Sequence, residues 1–261
     1  MNFQTIAIDR DGRGITTLRL ARAEKHNALS AQMMDELTEA AGMLGSDPDT
    51  RAVILTGTGP SFCAGGDLGW MREQLGADGP ARRAAARKLA MMLNALNEMP
   101  RPLIGKVQGN AFGGGIGMIS VCDVAFGAQG ARFGLTETRL GLIPATIGPY
   151  VVARMGEGRA RRVFMSARIF DADEAMRLDL LAGVHAPGEL DAVALAEAEA
   201  YLQTAPGAVG AAKRLARRLG PRIDPDVIEI SMDALVDAWD APEAAEGIAA
   251  FFDRRKPGWQ A

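Results

Sequence analysis

The chain is 261 residues long, enough to bury a sizeable core as one large domain or two small ones. Apolar residues make up 48% and charged residues 23%, the balance of a soluble globular protein, and a formal charge of -3 argues against a surface for nucleic acid or anionic membrane. Cys63 and Cys122 are too few for a disulfide framework, no basic segment followed by an apolar core opens the chain, and no apolar run reaches the ~18 residues of a membrane span, so a cytoplasmic setting is expected.

Alternation predicts two strands over 3–9 and 14–20, joined by the hairpin signal Asp11-Gly12. After an irregular stretch over 21–28, Ser30 reads as the N-cap of a helix through Met33, Met34, Leu37 and Leu44 that Asp47-Pro48-Asp49 ends. A continuous apolar run over 53–57 predicts a strand covered on both faces, and a glycine turn, Ala64-Gly65-Gly66-Asp67-Leu68, follows it. Residues 76–80 read as a mobile loop and 81–97 as an amphipathic helix. An apolar strand over 102–107 leads into a second glycine turn, Gly113-Gly114-Gly115, with a buried helix from Ile116 and a strand over 123–128. The stretch 133–141 reads as a loop or broken helix. Helices are then expected over 148–165, 171–182, 189–203 and 206–219, with two more between 224 and 254. Strands linked by such crossovers make a parallel sheet with helices outside, so the fold class is α/β with a helical C-terminal part.

The common motifs are absent. No Gly-x-Gly-x-x-Gly occurs despite 31 glycines, and there is no Walker A sequence and no Gly-x-Ser-x-Gly elbow. His26 and His185 are the only histidines, which leaves no multi-histidine metal site, and His185 reads as structural. Met33, Met34, Met91 and Met92 read as core filler. What remains is two glycine turns about fifty residues apart and one acid, Glu137, downstream of the second. Bare helix-terminal amides attract negative charge, and two amides converging on one oxygen make an oxyanion hole, worth about 2.7–4 kcal/mol per donor in the barrier. Such a pair suits chemistry through an enolate. Structural turns are the competing reading of the glycines, and a surface carboxylate paired with Arg139 is that of Glu137.

At these residues the sequence resembles the enoyl-CoA hydratase/isomerase (crotonase) superfamily, over nearly the whole chain. Arg22-Ala23-Glu24-Lys25-His26-Asn27-Ala28-Leu29 is similar to the family's first coenzyme A segment, and Phe62-Cys63-Ala64-Gly65-Gly66-Asp67-Leu68 to its Ala-Gly-x-Asp turn. The glycine stretch over 109–123, the block over 133–144 and the C-terminal run Phe252-Asp253-Arg254-Arg255-Lys256-Pro257 complete five pieces in order. The resemblance implies a crotonase-like spiral of ββα units, with a CoA-binding and catalytic core over 1–200 and a helical C-terminal region over 201–261 that forms a trimer or a dimer of trimers. It implies that the N–H groups of Gly66 and Gly114 hold a thioester oxygen. Ala64, Asp67 and Leu68 would line the adenine and pantetheine path, with Lys25 and Ala28 beside it. The substrate is then a coenzyme A thioester, with no metal, no separate cofactor, no nucleic acid and no membrane as partner.

Typical hydratases of the family carry two glutamates. The later one is present as Glu137, and the earlier position falls on Gly117. Gly114 and Gly117 are i and i+3 on the helix, so position 117 is expected to face the site. The N–H after the Ile-Pro pair can help hold the attacking water in this family; here it belongs to Ala145. Two chemistries stay open, hydration of an unsaturated acyl-CoA and proton shuttling between C2 and C4 by Glu137, with a non-catalytic acyl-CoA-binding protein as a third reading. The run 139–150 resembles members assigned to methylglutaconyl-CoA or carboxygeranoyl-CoA hydration, which favours hydratase, and Arg72 or Arg139 is the candidate partner of a substrate carboxylate. RNA binding is disfavoured by the acidic balance, and Lys213-Arg214-Leu215-Ala216-Arg217-Arg218 reads as a solvated helix face.

Overall fold

A computed structural model describes residues 3–260. The chain begins with the antiparallel hairpin β1 (Ile6–Arg10) and β2 (Ile15–Leu20). Its turn is built by Asp11, whose Oδ1 accepts from the N–H groups of Arg13 at 2.9 Å and Ile15 at 3.0 Å. The helix α1 (Ala31–Ser46) starts where Ser30 accepts from the Met33 N–H at 3.2 Å. Then follow β3 (Ala52–Gly57), β4 (Ser61–Cys63), α2 (Leu68–Gly76), α3 (Gly79–Glu98), β5 (Leu103–Val107), β6 (Asn110–Phe112), α4 (Gly114–Ser120), β7 (Val124–Ala128) and β8 (Arg132–Gly134). The later elements are α5 (Gly148–Met155), α6 (Glu157–Phe164), β9 (Phe170–Asp171), α7 (Ala172–Arg177), β10 (Gly183–His185), α8 (Leu190–Ala200), α9 (Pro206–Leu219), α10 (Pro225–Asp240) and α11 (Pro242–Phe252).

The strands form a six-stranded sheet in the order β1-β2-β3-β5-β7-β10 and a four-stranded sheet in the order β4-β6-β8-β9. From β3 to β8 consecutive strands alternate between the two sheets, so each turn of the chain adds one strand to each, in parallel. This is the α/β spiral expected. Its main core joins Leu18, Leu37, Leu55, Phe62, Ile116 and Phe133. The C-terminal helices α10 and α11 pack back on the chain itself. Ile228, Met232, Leu235 and Trp239 of α10 and Ala244 and Ile248 of α11 form a second cluster with Ala86 and Ala90 of α3.

Several sequence expectations are corrected. The loop expected over 76–80 shrinks to a break at Ala77-Asp78, because Asp78 caps α3 by accepting from the Ala81 N–H at 2.9 Å. Pro80 is tolerated there, since a first-turn N–H has no helical partner to lose. The helix expected over 148–165 breaks at Gly156, whose φ of 75° lies in the left-handed region. The helix expected over 171–182 ends at Arg177, and the chain returns as β10 against β7. Met91 is exposed while Met33, Met34 and Met92 are buried. Lys213 is not solvated. Its Nζ is 2.6 Å from Asp123 Oδ2 and 3.0 Å from the Arg101 carbonyl, tying α9 to the start of β7. His185 packs edge-on to Phe126 at 5.7 Å, a structural place as expected.

One buried side chain joins the irregular stretch 22–29 to the rest. Asn27 is fully buried, takes a left-handed φ of 53°, donates to the carbonyls of Thr58 at 2.9 Å and Ser61 at 2.8 Å, and accepts from the Arg22 N–H at 2.9 Å. Replacing it leaves the Thr58 carbonyl and the Arg22 N–H unpaired, takes one of two donors from the Ser61 carbonyl, which Gln108 Nε2 also meets at 2.9 Å, and puts a Cβ-only residue at positive φ. Asn27→Ala should therefore cost about 2–4 kcal/mol in a denaturant melt, more than an ordinary surface change.

Candidate active site

The second glycine turn is three glycines because three different groups close on it. A Cβ at position 113 would lie 2.9 Å from Glu137 Oε1, one at 114 would lie 2.5 Å from Leu29 Cδ1, and one at 115 would lie 2.7 Å from the Cys63 carbonyl oxygen. All three are shorter than real Cβ contacts; the Cys63 contact is to backbone and cannot yield, while the ends of the Glu137 and Leu29 side chains would have to move aside. Gly113 also needs a φ of 48°. Its N–H is taken by the Gly134 carbonyl at 3.0 Å, which links the turn to the strand that precedes Glu137.

Gly114 opens α4, so its N–H has no partner inside the helix. Gly66 sits opposite Leu29 in a parallel bridge whose two bonds run from the Leu29 N–H to the Gly65 carbonyl at 2.7 Å and from the Asp67 N–H to the Leu29 carbonyl at 3.0 Å. Both bonds use the neighbours of Gly66 and leave its own amide free. Among the described residues neither the Gly66 nor the Gly114 N–H meets an acceptor. Gly65 stands between the turns, with a Cβ there only 3.3 Å from the Phe112 carbonyl oxygen.

These amides and Glu137 border one cavity of about 410 Å³. Ala64, Leu68 and Ala145 also line it; Lys25, Ala28 and Asp67 do not. Lys25 is exposed, and Ala28 is buried with its carbonyl accepting from Arg22 at 2.8 Å. Asp67 caps α2 through the Gly69 N–H at 2.8 Å and pairs with Arg22 at 3.0 Å, so its carboxylate lies below the usual range despite partial burial. A larger cavity of about 1130 Å³ lies under α9 and contains neither glycine turn nor Glu137.

Two expectations fail on geometry. Position 117 does not reach the cavity. A Cβ there would lie 2.7 Å from Ile147 Cγ2 and 3.5 Å from Leu93 Cδ1, and it is Ile147 that lines the cavity instead. Helical spacing put 117 on the correct face but could not show a second side chain in between. The Ala145 N–H donates to the Ile143 carbonyl at 2.8 Å and is not free to hold a water. Sequence reading also missed Leu235, Trp239 and Phe251, which close the cavity from α10 and α11; only the apolar faces of late helices hinted at them.

Glu137 is the one carboxylate on this wall. It stands at the start of a 3-10 turn, Glu137–Leu140, and among the described residues it makes no ion pair, so the pairing with Arg139 is not made. Its Oε2 is buried without a partner. Burial pushes its carboxyl up to about 7, and amide contacts at Thr136 and Glu137 only lessen that rise. Cys63 is nearby but inert, because burial pushes its thiol up to about 12. No group of side chains that could hold a metal ion occurs among the described residues. Among the described residues no helix is long and apolar enough to cross a membrane.

A family profile described as enoyl-CoA hydratase/isomerase matches residues 10–261. This chain belongs to that family. The short-chain-enoyl-CoA hydratase of Clostridium acetobutylicum is 30% identical over 259 residues, 98% of this chain and 97% of its own. The mitochondrial methylglutaconyl-CoA hydratase of Mus musculus is 31% identical over 97% of this chain and 82% of its own. The crystal structure of an enoyl-CoA hydratase from Shewanella pealeana superposes with a TM-score of 0.81, at 34% identity over 98% of this chain and 96% of that one. The chain is thus an enzyme of the enoyl-CoA hydratase/isomerase family with the crotonase fold.

Two outcomes follow for this family member. In the unfolded chain Glu137 titrates as an ordinary carboxylate, while in the fold it holds its proton to about 7. The folded state therefore binds more protons across that window, and stability falls as pH rises from about 4.5 to 7, by roughly 3 kcal/mol. Glu137→Gln should remove this slope and melt higher than the parent at pH 8. Gly117→Ala and Gly117→Glu should each destabilise by about 1–3 kcal/mol through the Ile147 contact. Ile147→Ala placed in the same chain as Gly117→Ala should recover part of that loss in a double-mutant cycle.

Proposed function

We propose that this enzyme adds water across the 2,3-double bond of an unsaturated acyl-CoA, with Glu137 as the proton-transferring group. One observation carries the reading. A neutral-range carboxyl with an unpaired buried oxygen packs on Gly113 and borders the same cavity as two amides that have no acceptor among the described residues. The thioester oxygen is held by the N–H groups of Gly66 and Gly114, and the α4 terminus adds its dipole to the developing enolate. Glu137 takes a proton from water as the water oxygen bonds to the β-carbon, and then gives a proton to the α-carbon as the enolate collapses. The stretch 22–29 and the Ala64–Leu68 turn hold the CoA portion, with Lys25, Ala28 and Asp67 shaping that stretch from outside the cavity. Activity in kcat/KM should rise through pH 7 as Glu137 loses its proton.

The acyl group we infer is one that carries its own carboxylate. The charged side chains that line the cavity are Glu137 and Arg139, and Arg139 has no acidic partner among the described residues. Arg72, the other candidate, is set over the Phe252 ring at 4.5 Å and does not line the cavity. A branched, carboxylated chain of the methylglutaconyl type fits this combination, and the methylglutaconyl-CoA hydratase among the relatives supports it. A trimer or dimer of trimers in the cytoplasm is part of the same proposal.

The isomerase reading draws on a separate observation. With Ile147 over position 117 and the Ala145 N–H engaged, Glu137 works alone, and moving a proton between C2 and C4 needs one base only. Incubation with 3-methylglutaconyl-CoA, crotonyl-CoA and a 3-enoyl-CoA, followed by mass and absorbance, separates the readings. Hydration adds the mass of water, isomerisation changes absorbance alone, and a binder does neither. Glu137→Gln should lower kcat by roughly 10²–10⁴-fold. Arg139→Gln should raise KM for 3-methylglutaconyl-CoA by about tenfold, the loss of one charge-assisted hydrogen bond, and leave crotonyl-CoA unaffected. Equal effects on both substrates would exclude the carboxylate role of Arg139.

A further inference from the structure

Glu137 stands on a 3-10 turn of four residues, a piece of backbone too short to be stiff by itself. Its internal bonds run from the Arg139 N–H to the Thr136 carbonyl at 3.1 Å, from Gly141 to Thr138 at 3.4 Å, and from Leu142 to Glu137 at 3.1 Å. The support comes from α11. A Cβ on Gly247 would lie 2.5 Å from the Leu140 carbonyl carbon, 2.6 Å from its oxygen and 2.9 Å from its Cα. From the other side, a Cβ on Gly141 would run into the carbonyl of Glu243 and stand 2.7 Å from the Ala244 nitrogen. The Leu140-Gly141 backbone therefore rests directly on the α11 backbone, between Glu243 and Gly247, one helical turn apart. The far end of α11 is fastened as well. Glu246 accepts from Arg255 at 2.7 and 2.8 Å and from the Gly258 N–H at 2.9 Å, which uses the C-terminal stretch that the fold and the cavity leave unexplained.

We propose that α11 is the positioning element for Glu137, and that Gly141 and Gly247 are positioning residues whose missing side chains let the two backbones seat together. The proposal rests on the reading of Glu137 as the proton-transferring group. It assigns the late helix a part in the chemistry: the same element that closes the acyl chamber with Phe251 fixes the depth at which the carboxyl stands. The charged groups on elements packed against the turn are Arg139 on the turn itself, Glu243 and Glu246 on α11, and Arg168 beside β8; among the described residues none is ion-paired with Glu137. The state of Glu137 thus depends on its depth more than on a neighbouring charge.

The test uses the full chain with Gly247→Ala, and with Gly141→Asn, a residue that tolerates the left-handed φ of 70° and so adds only the contact. With whichever of 3-methylglutaconyl-CoA and crotonyl-CoA the parent turns over, kcat should fall by at least ~10-fold, since small misplacements of a reacting group cost that much. KM should stay near the parent value, and the acid limb of kcat/KM should move down from pH 7 as the displaced carboxyl meets water. A folded variant that melts lower but keeps kcat and the limb would overturn the proposal, because that is what a purely structural contact gives. Native-state hydrogen exchange of the parent protein decides the matter even if neither variant folds. The Gly141 and Leu142 amides should open together with those of α11, at one free energy, and independent opening would refute the coupling. Full turnover by Glu137→Gln would instead sink the assignment of Glu137 while leaving joint opening intact.

Discussion

Everything in the site hangs on how closely two bends of backbone approach each other around Gly113, Gly114 and Gly115. The absence of three side chains lets Glu137, Leu29 and Cys63 each come within a distance that a methyl group would forbid. Leu29 is itself the residue that bridges Gly66, so the packing of one leucine sets both amides. The geometry of the proposed site is therefore a packing result. No side-chain network holds the two N–H groups in place; the parallel bridge at Gly66 and the first turn of α4 do.

The same closeness explains the state of Glu137. A carboxyl pressed against glycine backbone and walled by apolar side chains loses water and gains no cation, and its proton affinity rises for that reason alone. Such a group is a poor contributor to stability and a useful proton carrier near neutrality. The partly buried pair of Lys213 and Asp123 under α9 shows the opposite arrangement. There burial lowers the lysine's proton affinity while the carboxylate at 2.6 Å opposes that, and with the Arg101 carbonyl the pair serves as a fastening between α9 and the sheet.

Much of this was legible before any coordinates. The hairpin at Asp11, the cap at Ser30 and both glycine turns follow from local rules, because turns and caps are chosen by one or two residues acting on their own backbone, whereas Glu137 stands out only through the family resemblance. The short strands β8, β9 and β10 were missed or read as helix, since three-residue strands carry no period to read. Position 117 shows a different limit. Its face on α4 was correctly assigned from spacing, but what stands in front of a helix face depends on a segment thirty residues away. Lys213 was misjudged for the same reason: a run of cations looks solvated until Asp123 is found beneath it. The contribution of Trp239 and Phe251 to the acyl wall was equally out of reach, for it depends on where α10 and α11 dock.

The seating of Ile147 over Gly117 has a consequence for descent. A glutamate arriving alone at 117 meets a filled space, and shortening Ile147 alone opens a void of the kind that lowers stability. Either single substitution therefore lowers stability before the other can compensate for it, so the two positions are coupled in what each can hold.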